Sequence, residues 1–305
     1  MRFSKNLASN GSSSCFGEEV LAAKQFVQSM VRKYAEIRST FDAEIFLMTT
    51  RSSKDQFDAN ADKYATSDVH RAGPSLPVLL ELARPVESDE SLDVATGTGH
   101  TALAVARLVA KTIGIDIAPK MLEQARRLAA EQAISNCQFV EGSAEKIPLE
   151  DGRFTLVTAR HAPHHFHHVP SFLSEVRRVL TSHGRFVMAD QISPSAEVFD
   201  WLDYWERTRD LSHFKQRTVD EWREEVTKAG LRWVDDRIVR YRLEFDWWVA
   251  TAGCADSAVA ALIKHAATAP ASVRELLNLE FDASGRVIAF QEPMLVVRLE
   301  QDTND

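Results

Sequence analysis

No stretch of this chain stays apolar for the roughly twenty residues that a helix needs to cross a bilayer, so a membrane span is not expected. The first residues, MRFSKNLASNGSSSC, carry two early basic side chains with no apolar core behind them, which argues against a secretory signal. Cysteine is scarce. Cys15, Cys137 and Cys254 are far apart and odd in number, a pattern that disfavours a disulfide framework and points to a reducing, cytoplasmic compartment. Basic runs are missing too. Lys and Arg total 36 against 44 Asp and Glu, a formal charge of −8, so nucleic acid is disfavoured as substrate or partner. There is no internal repeat and no interdomain linker. What is present is 305 residues, 45% hydrophobic and 26% charged, the composition of a soluble globular protein with room for one large domain or two small ones.

Along the chain, residues 1–17 are rich in Ser, Asn and Gly, and disorder is expected there. Val27, Met30, Tyr34, Ile37, Phe41, Ile45 and Met48 recur at helical spacing and predict an amphipathic helix over about 18–48. It could dock on its own domain or on a second copy as a homodimer arm; equally, Met48 could be the true start of translation. Residues 1–53 are therefore set apart as an N-terminal extension. Helices are expected from Lys54 and over 76–83. The middle alternates: strands at 91–95, 112–116, 138–141, 154–159 and 185–190, with helices at 100–110, 119–132 and 170–180 between them. Apolar strands alternating with helices predict a parallel sheet covered on both faces. A helix over 218–228 is framed by Thr218 with Glu221 as a capping box and Gly230 as a stop. Two long strands, 232–245 and 286–300, flank a helical insertion at about 247–279.

The stretch LDVATGTGHTALAVA, Leu92 to Ala106, reads as strand, glycine-rich turn and helix. Gly97-Thr98-Gly99-His100-Thr101-Ala102 fits the dinucleotide pattern G-x-G-x-x-G/A, and Asp116 follows as the next acid. An NAD-dependent oxidoreductase is one reading. Asp93 counts against it: an acid at the strand end repels a pyrophosphate but suits a cationic ligand.

LDVATGTGHTALAVA resembles motif I of the class I S-adenosylmethionine-dependent methyltransferases. VARLVAKTIGIDIAPKMLEQAR, FVEGSAEKIPLEDGRFTLVTARHAPHHF and FLSEVRRVLTSHGRFVMAD resemble, in order, the second strand, the third and fourth strands with the adenine loop, and the helix and fifth strand of that family. The subgroup resembled is the ubiquinone/menaquinone C-methylase-like small-molecule enzymes, from about Lys54 onward. The resemblance implies a Rossmann-like, doubly wound α/β fold in residues 54–305. Its seven-stranded, mostly parallel sheet would run 3-2-1-4-5-7-6, the seventh strand antiparallel. It implies S-adenosylmethionine as cofactor and methyl transfer to carbon or oxygen of a small, partly apolar metabolite. A protein that binds this cofactor without methylating anything is the other alternative.

The resemblance implies a cofactor site of Asp93, Ala95, Thr96, Gly97 and Gly99 at the methionine end, Asp116 on the ribose hydroxyls with Ile117 and Met121 beside it, and Ser143, Ala144 and Glu145 along the adenine, with Arg160 at the fourth strand's end. Two positions depart from the family pattern. Ala95 replaces a common glycine, and Ser143 replaces a common Asp, removing a usual acceptor for the adenine amino group. The run HAPHHFHHV places five histidines within eight residues. A metal site is one reading, but no Cys is near and no helical His-x-x-x-His spacing is present, so no metal is assigned. His164 or His165 would instead face the substrate as a hydrogen-bonding group or proton acceptor, against the alternative of solvated loop residues. Tyr64 lies on a segment that in the family folds over the cofactor; its hydroxyl could reach cofactor or substrate, or its ring could pair with Phe57 in the core. Trp201, Tyr204, Trp205 and Phe214 could line an acceptor pocket, with core packing the favoured reading.

Overall fold

The computed structural model describes residues 52–302. The helix expected at 18–48, the homodimer arm and the start-site alternative lie outside them. The chain order is α1 (Ser53–Ala65), α2 (Asp68–Ala72), α3 (Ser75–Ala83), β1 (Glu90–Val94), α4 (His100–Ala106), β2 (Lys111–Asp116), α5 (Pro119–Glu131), β3 (Cys137–Glu141), β4 (Phe154–Arg160), α6 (Val169–Val179), β5 (Leu180–Gln191), α7 (Phe199–Arg209), α8 (Val219–Lys228), β6 (Leu231–Glu244), α9 (Phe245–Ala252), α10 (Asp256–Ala267), α11 (Ala271–Leu276), β7 (Glu280–Phe281) and β8 (Val287–Gln301).

The strands form one sheet in the order β3-β2-β1-β4-β5-β8-β6. β1 to β5 are mutually parallel, with Leu92 opposite Ile113 on one side and Val157 on the other. β8 runs antiparallel to both β5 and β6. This is the expected Rossmann-like α/β order, with the last long strand inserted antiparallel. The sheet differs in having an eighth strand: the two-residue β7 pairs with β8 off the main path, too short to leave any periodic signal.

The sheet separates two apolar layers, and period-two alternation assigns the side chains. Val187 and Ala189 of β5, with Met294 and Val296 of β8, join Trp205, Trp248, Leu262 and Val273. Phe186, Met188, Leu295 and Val297 join Phe172, Val176 and Trp222 on the other side. Helices thus cover both faces. The segment read as an insertion is the cluster α9, α10 and α11, which supplies core residues to the first layer. α8 starts as its sequence dictates: Glu221 N donates to Thr218 Oγ1 at 3.2 Å and Thr218 N donates to Glu221 Oε2 at 2.9 Å. α4 ends at Ala106, four residues earlier than its apolar pattern suggests.

α1 is held from two sides. Gln56 Nε2 and Lys63 Nζ donate to the carbonyls of Ala252 and Ala250, each at 2.9 Å, while Asp58 and Asp62 accept from Lys120 N and Gln124 Nε2 of α5. It lies across the carboxyl ends of the parallel strands, the end at which open α/β sheets bind ligands.

Candidate functional site

The site is built where β1 gives way to α4. Thr96 N donates to the Ile115 carbonyl at 2.8 Å, which stitches the turn to β2. Gly99 takes φ +83°, and a Cβ there would stand 3.0 Å from Ala125 Cβ and Phe139 Cζ, so only glycine fits without repacking. Ala95 takes φ +53° although it carries a Cβ, the left-handed conformation that the glycine usual at this place adopts freely.

The turn forms one wall of a cleft of about 220 Å³. Of the sequence-derived cofactor residues, Ala95, Thr96, Gly97, Asp116, Ile117, Met121, Ser143, Ala144, Glu145 and Arg160 line it. Asp93 and Gly99 do not. Asp93 stands one layer back, buried, accepting from Thr96 Oγ1 and Thr158 Oγ1, each at 2.6 Å. Burial raises its carboxyl above the ordinary value. It fixes the turn from behind.

Asp116 ends β2 with Oδ2 accepting from Gly97 N at 2.8 Å and Oδ1 from Ala118 N at 2.9 Å. Burial, aided by the Asp93 charge, lifts this carboxyl to about 6. In the third loop, Ser143 Oγ accepts from Glu145 N at 3.2 Å, and Glu145 Oε1 accepts from His168 N at 2.7 Å. Arg160 is buried, its charged form disfavoured by that burial. Its Nε donates to Thr101 Oγ1 at 2.9 Å, Nη1 reaches Ser75 Oγ at 3.3 Å, and Nη2 donates to the His70 carbonyl. It ties the α2–α3 segment to the strand ends, and among the described residues no other Lys or Arg lines the cleft.

Tyr64 makes the ring contact with Phe57 that one of its readings expects. It lines the cleft, and it packs edge-on against Phe57 at 5.5 Å and His70 at 4.8 Å. Burial pushes its hydroxyl up to about 12, so the phenol stays protonated. The two central histidines part company. His165 lines the cleft, and its Nδ1 lies 3.0 Å from the Ser212 carbonyl. A carbonyl only accepts, so Nδ1 carries the proton and Nε2 keeps its lone pair. His164 does not line the cleft: its Nδ1 lies 2.7 Å from Asp190 Oδ1, and both side chains are buried. Burial pushes His164 down to about 3 and His165 to about 4, and lifts Asp190 to about 8. Both imidazoles are neutral at neutral pH. His167 and His168 are exposed, and His168 caps α6 through Ser171 N. Among the described residues, no group of three or more His, Cys, Asp or Glu is arranged to hold a metal.

Several wall residues were given no role of their own in the sequence: Phe57, Thr98, His100, Thr101 and His161. Thr98, His100 and Thr101 could have been found inside the glycine-rich motif and His161 as the first member of the histidine run; Phe57 had no motif around it. Trp205 is a core residue, stacked on Trp201 at 5.1 Å and Trp248 at 4.9 Å, while Tyr204 is exposed. No helix among the described residues is long and apolar enough to cross a membrane.

Comparison with known proteins agrees with this geometry. Residues 92–188 match the family described as a methyltransferase domain. The chain is 31% identical over 235 residues to the uncharacterised methyltransferase YcgJ of Bacillus subtilis, spanning 77% of this chain and 93% of that one. The crystal structure of YcgJ superposes with a TM-score of 0.72 at 29% identity, covering 74% of this chain and 98% of that one. A Bacillus halodurans protein gives the same score and identity over 76% of this chain and 100% of its own. A demethylmenaquinone methyltransferase of Symbiobacterium thermophilum is 37% identical over 123 residues, 38% of this chain and 49% of that one. The hydride-transfer alternative ends here: the chain belongs to the class I S-adenosylmethionine-dependent methyltransferases.

Proposed function

We propose that the cleft binds S-adenosylmethionine and that the protein transfers its methyl group to carbon or oxygen of a small, partly apolar metabolite. The observation that carries this is the wall itself. Asp116 stands at the end of β2 with its carboxyl oriented by Gly97 and Ala118, and Arg160, the one Lys or Arg among the described lining residues, is already engaged by protein groups. With that arginine spent, no Lys or Arg among the described lining residues is left to pair a pyrophosphate, while the Asp116 carboxyl is placed to accept from ribose hydroxyls.

When bound, this cofactor supplies an activated methyl on a sulfonium. The chain's own residues then have to bind, orient and exclude water. Asp116 accepts from the ribose hydroxyls with the lone pairs that Gly97 and Ala118 leave. Ile117 and Met121 supply apolar surface beside the ribose and adenine. Ala95, Thr96 and Gly97 would form the backbone wall beside the methionine end, the Thr96 and Gly97 N–H groups being spent on Ile115 and Asp116, with Asp93 and Gly99 fixing the turn behind them. Ser143 contributes less than the usual Asp, because Glu145 N already occupies its hydroxyl. Tyr64 and His165 close the substrate side, and His164 supports His165, whose ring centroid is 4.1 Å away. The likeness to demethylmenaquinone methyltransferase supports carbon as the acceptor atom.

Calorimetric titration with S-adenosylhomocysteine and, separately, with NAD tests the reading. Binding of the first and not of the second is expected; the reverse, or binding of neither, refutes it.

A further inference from the structure

β6 closes the sheet on one side, and among the described residues no strand pairs with its outer edge. At 14 residues, Leu231–Glu244, it is long for that position, and an open edge is a template for a further strand. The pairing with β8 decides which groups the edge offers. Arg240 stands opposite Pro293, which has no N–H to donate. Asp236 N donates to Asp235 Oδ1 at 2.9 Å and Asp236 O accepts from Arg237 Nη1 at 2.7 Å, so both point away from β8. Alternate residues of an antiparallel strand turn their N–H and C=O the same way, so Asp236, Ile238, Arg240 and Arg242 all present theirs outward. The strand holds no proline, the residue that most simply blocks an edge, and Ile238 is 47% exposed there.

Charge selects the partner. Charges on an edge ward off other strands when like meets like, but β6 carries both signs. When it meets its own copy antiparallel, the residue on the two-fold axis fixes every pair. An axis at Asp236, Arg237 or Arg240 sets that residue against itself, like charge on like charge, which destabilises. An axis at Val239 sets Arg240 against Ile238, and Asp236 against Arg242, whose guanidinium is already held by Glu244 and Glu280. An axis at Ile238 sets Ile238 against its copy and Asp236 opposite Arg240 twice, once on each side. Arg240 Nη1 rests on the Leu276 carbonyl at 2.9 Å, and no carboxylate among the described residues pairs with it. Asp236 meets Trp233 Nε1 at 2.7 Å and Arg223 Nη2 at 3.3 Å through Oδ1, which leaves Oδ2 for the Arg240 of another copy.

We propose that β6 pairs antiparallel with β6 of a second copy of this chain about an axis at Ile238, so that two sheets join into one. Asp236 of each copy then exchanges both backbone hydrogen bonds with Arg240 of the other, in place of the Asp235 and Arg237 side chains that cap it in the single chain. The side chains of the same two residues close an ion pair on each side of the axis, on one face of the ladder. Asp236, Ile238 and Arg240 do not line the cofactor cleft, so the inference stands apart from the cofactor reading.

Sedimentation velocity of the full chain is the test. The wild type is expected at twice the chain mass. Arg240→Glu sets Glu against Asp236 on both sides of the axis and should weaken the dimer by about tenfold or more, leaving monomer at concentrations where the wild type is dimeric. Asp236→Arg with Arg240→Asp in the same chain exchanges the two charges and should restore the dimer. Ile238→Pro removes the outward N–H on the axis while sparing the bonds to β8, and should be monomeric. A cooperative melting transition in each variant shows that it folds. A monomeric wild type overturns the proposal. So does an Arg240→Glu or Ile238→Pro chain that keeps the dimer, because the interface then lies elsewhere, and so does an exchanged chain that folds but stays monomeric.

Discussion

Replacing Asp116 by Asn separates binding from folding at the residue on which the cofactor reading leans most. The carboxyl is lifted from its ordinary 3.8 to about 6 because burial disfavours its charge. For a carboxyl raised in the folded state, stability is greatest below the unfolded value and falls as pH rises to the folded one. From pH 6 upward the cost is constant, about 3 kcal/mol for a rise of about two pH units. Asn removes that charge, but turns an amide N–H toward Gly97 N or Ala118 N and forfeits one of their hydrogen bonds, about 1–3 kcal/mol. The two effects nearly cancel, so the melting temperature should change little at neutral pH. Binding should not escape so lightly. The ribose hydroxyls lose a charged acceptor, worth about 1.5–3 kcal/mol per bond, so S-adenosylhomocysteine affinity should drop about tenfold to a hundredfold. Calorimetry from about pH 5 to about pH 8 adds a second reading: wild-type affinity should weaken below pH 6 as Asp116 takes up its proton, and the Asn variant should lose that dependence. Equal affinities, or the same pH dependence in both proteins, would refute the assignment of Asp116 to the cofactor.

Other outcomes follow from single contacts. Ala95→Gly removes the Cβ from a residue at φ +53° and should stabilise the fold by about 1 kcal/mol, read as a higher melting temperature with unchanged cofactor affinity. Gly99→Ala meets Ala125 and Phe139 at 3.0 Å and should destabilise by more than about 1 kcal/mol and weaken S-adenosylhomocysteine binding; a fully stable variant would show that the turn can yield. His165→Ala and His164→Ala should lower methyl transfer more than cofactor affinity, and a chelator should change neither; activity lost to a chelator and restored by zinc would reverse the reading of the histidine run.

The parts of this protein that were legible in its sequence are those whose causes are local. Leu92 to Ala106 encodes strand, turn and helix within fifteen residues, and Thr218 with Glu221 and Gly230 frames α8 with short-range chemistry. The parallel strands showed themselves because both faces are buried. The tie of Arg160 to the α2–α3 segment was not legible, because His70 and Ser75 lie far back in the chain and meet it only once β4 stands in the sheet. Nor could the sequence separate His164 from His165. Their difference lies in partners 26 and 47 residues away, Asp190 and Ser212. Trp205 and Tyr204 adjoin in the chain, yet one is buried at the centre of an aromatic stack and the other is exposed, a distinction set by α9 and α10.

The most direct measurement incubates the protein with S-adenosylmethionine bearing a deuterated methyl group and a small-molecule extract, and reads the products by mass. The account predicts at least one small, partly apolar compound that gains the labelled methyl with wild-type protein and far less of it with Asp116→Asn. Cofactor binding with no labelled product from any extract would contradict it, and would leave a protein that holds the cofactor without transferring its methyl.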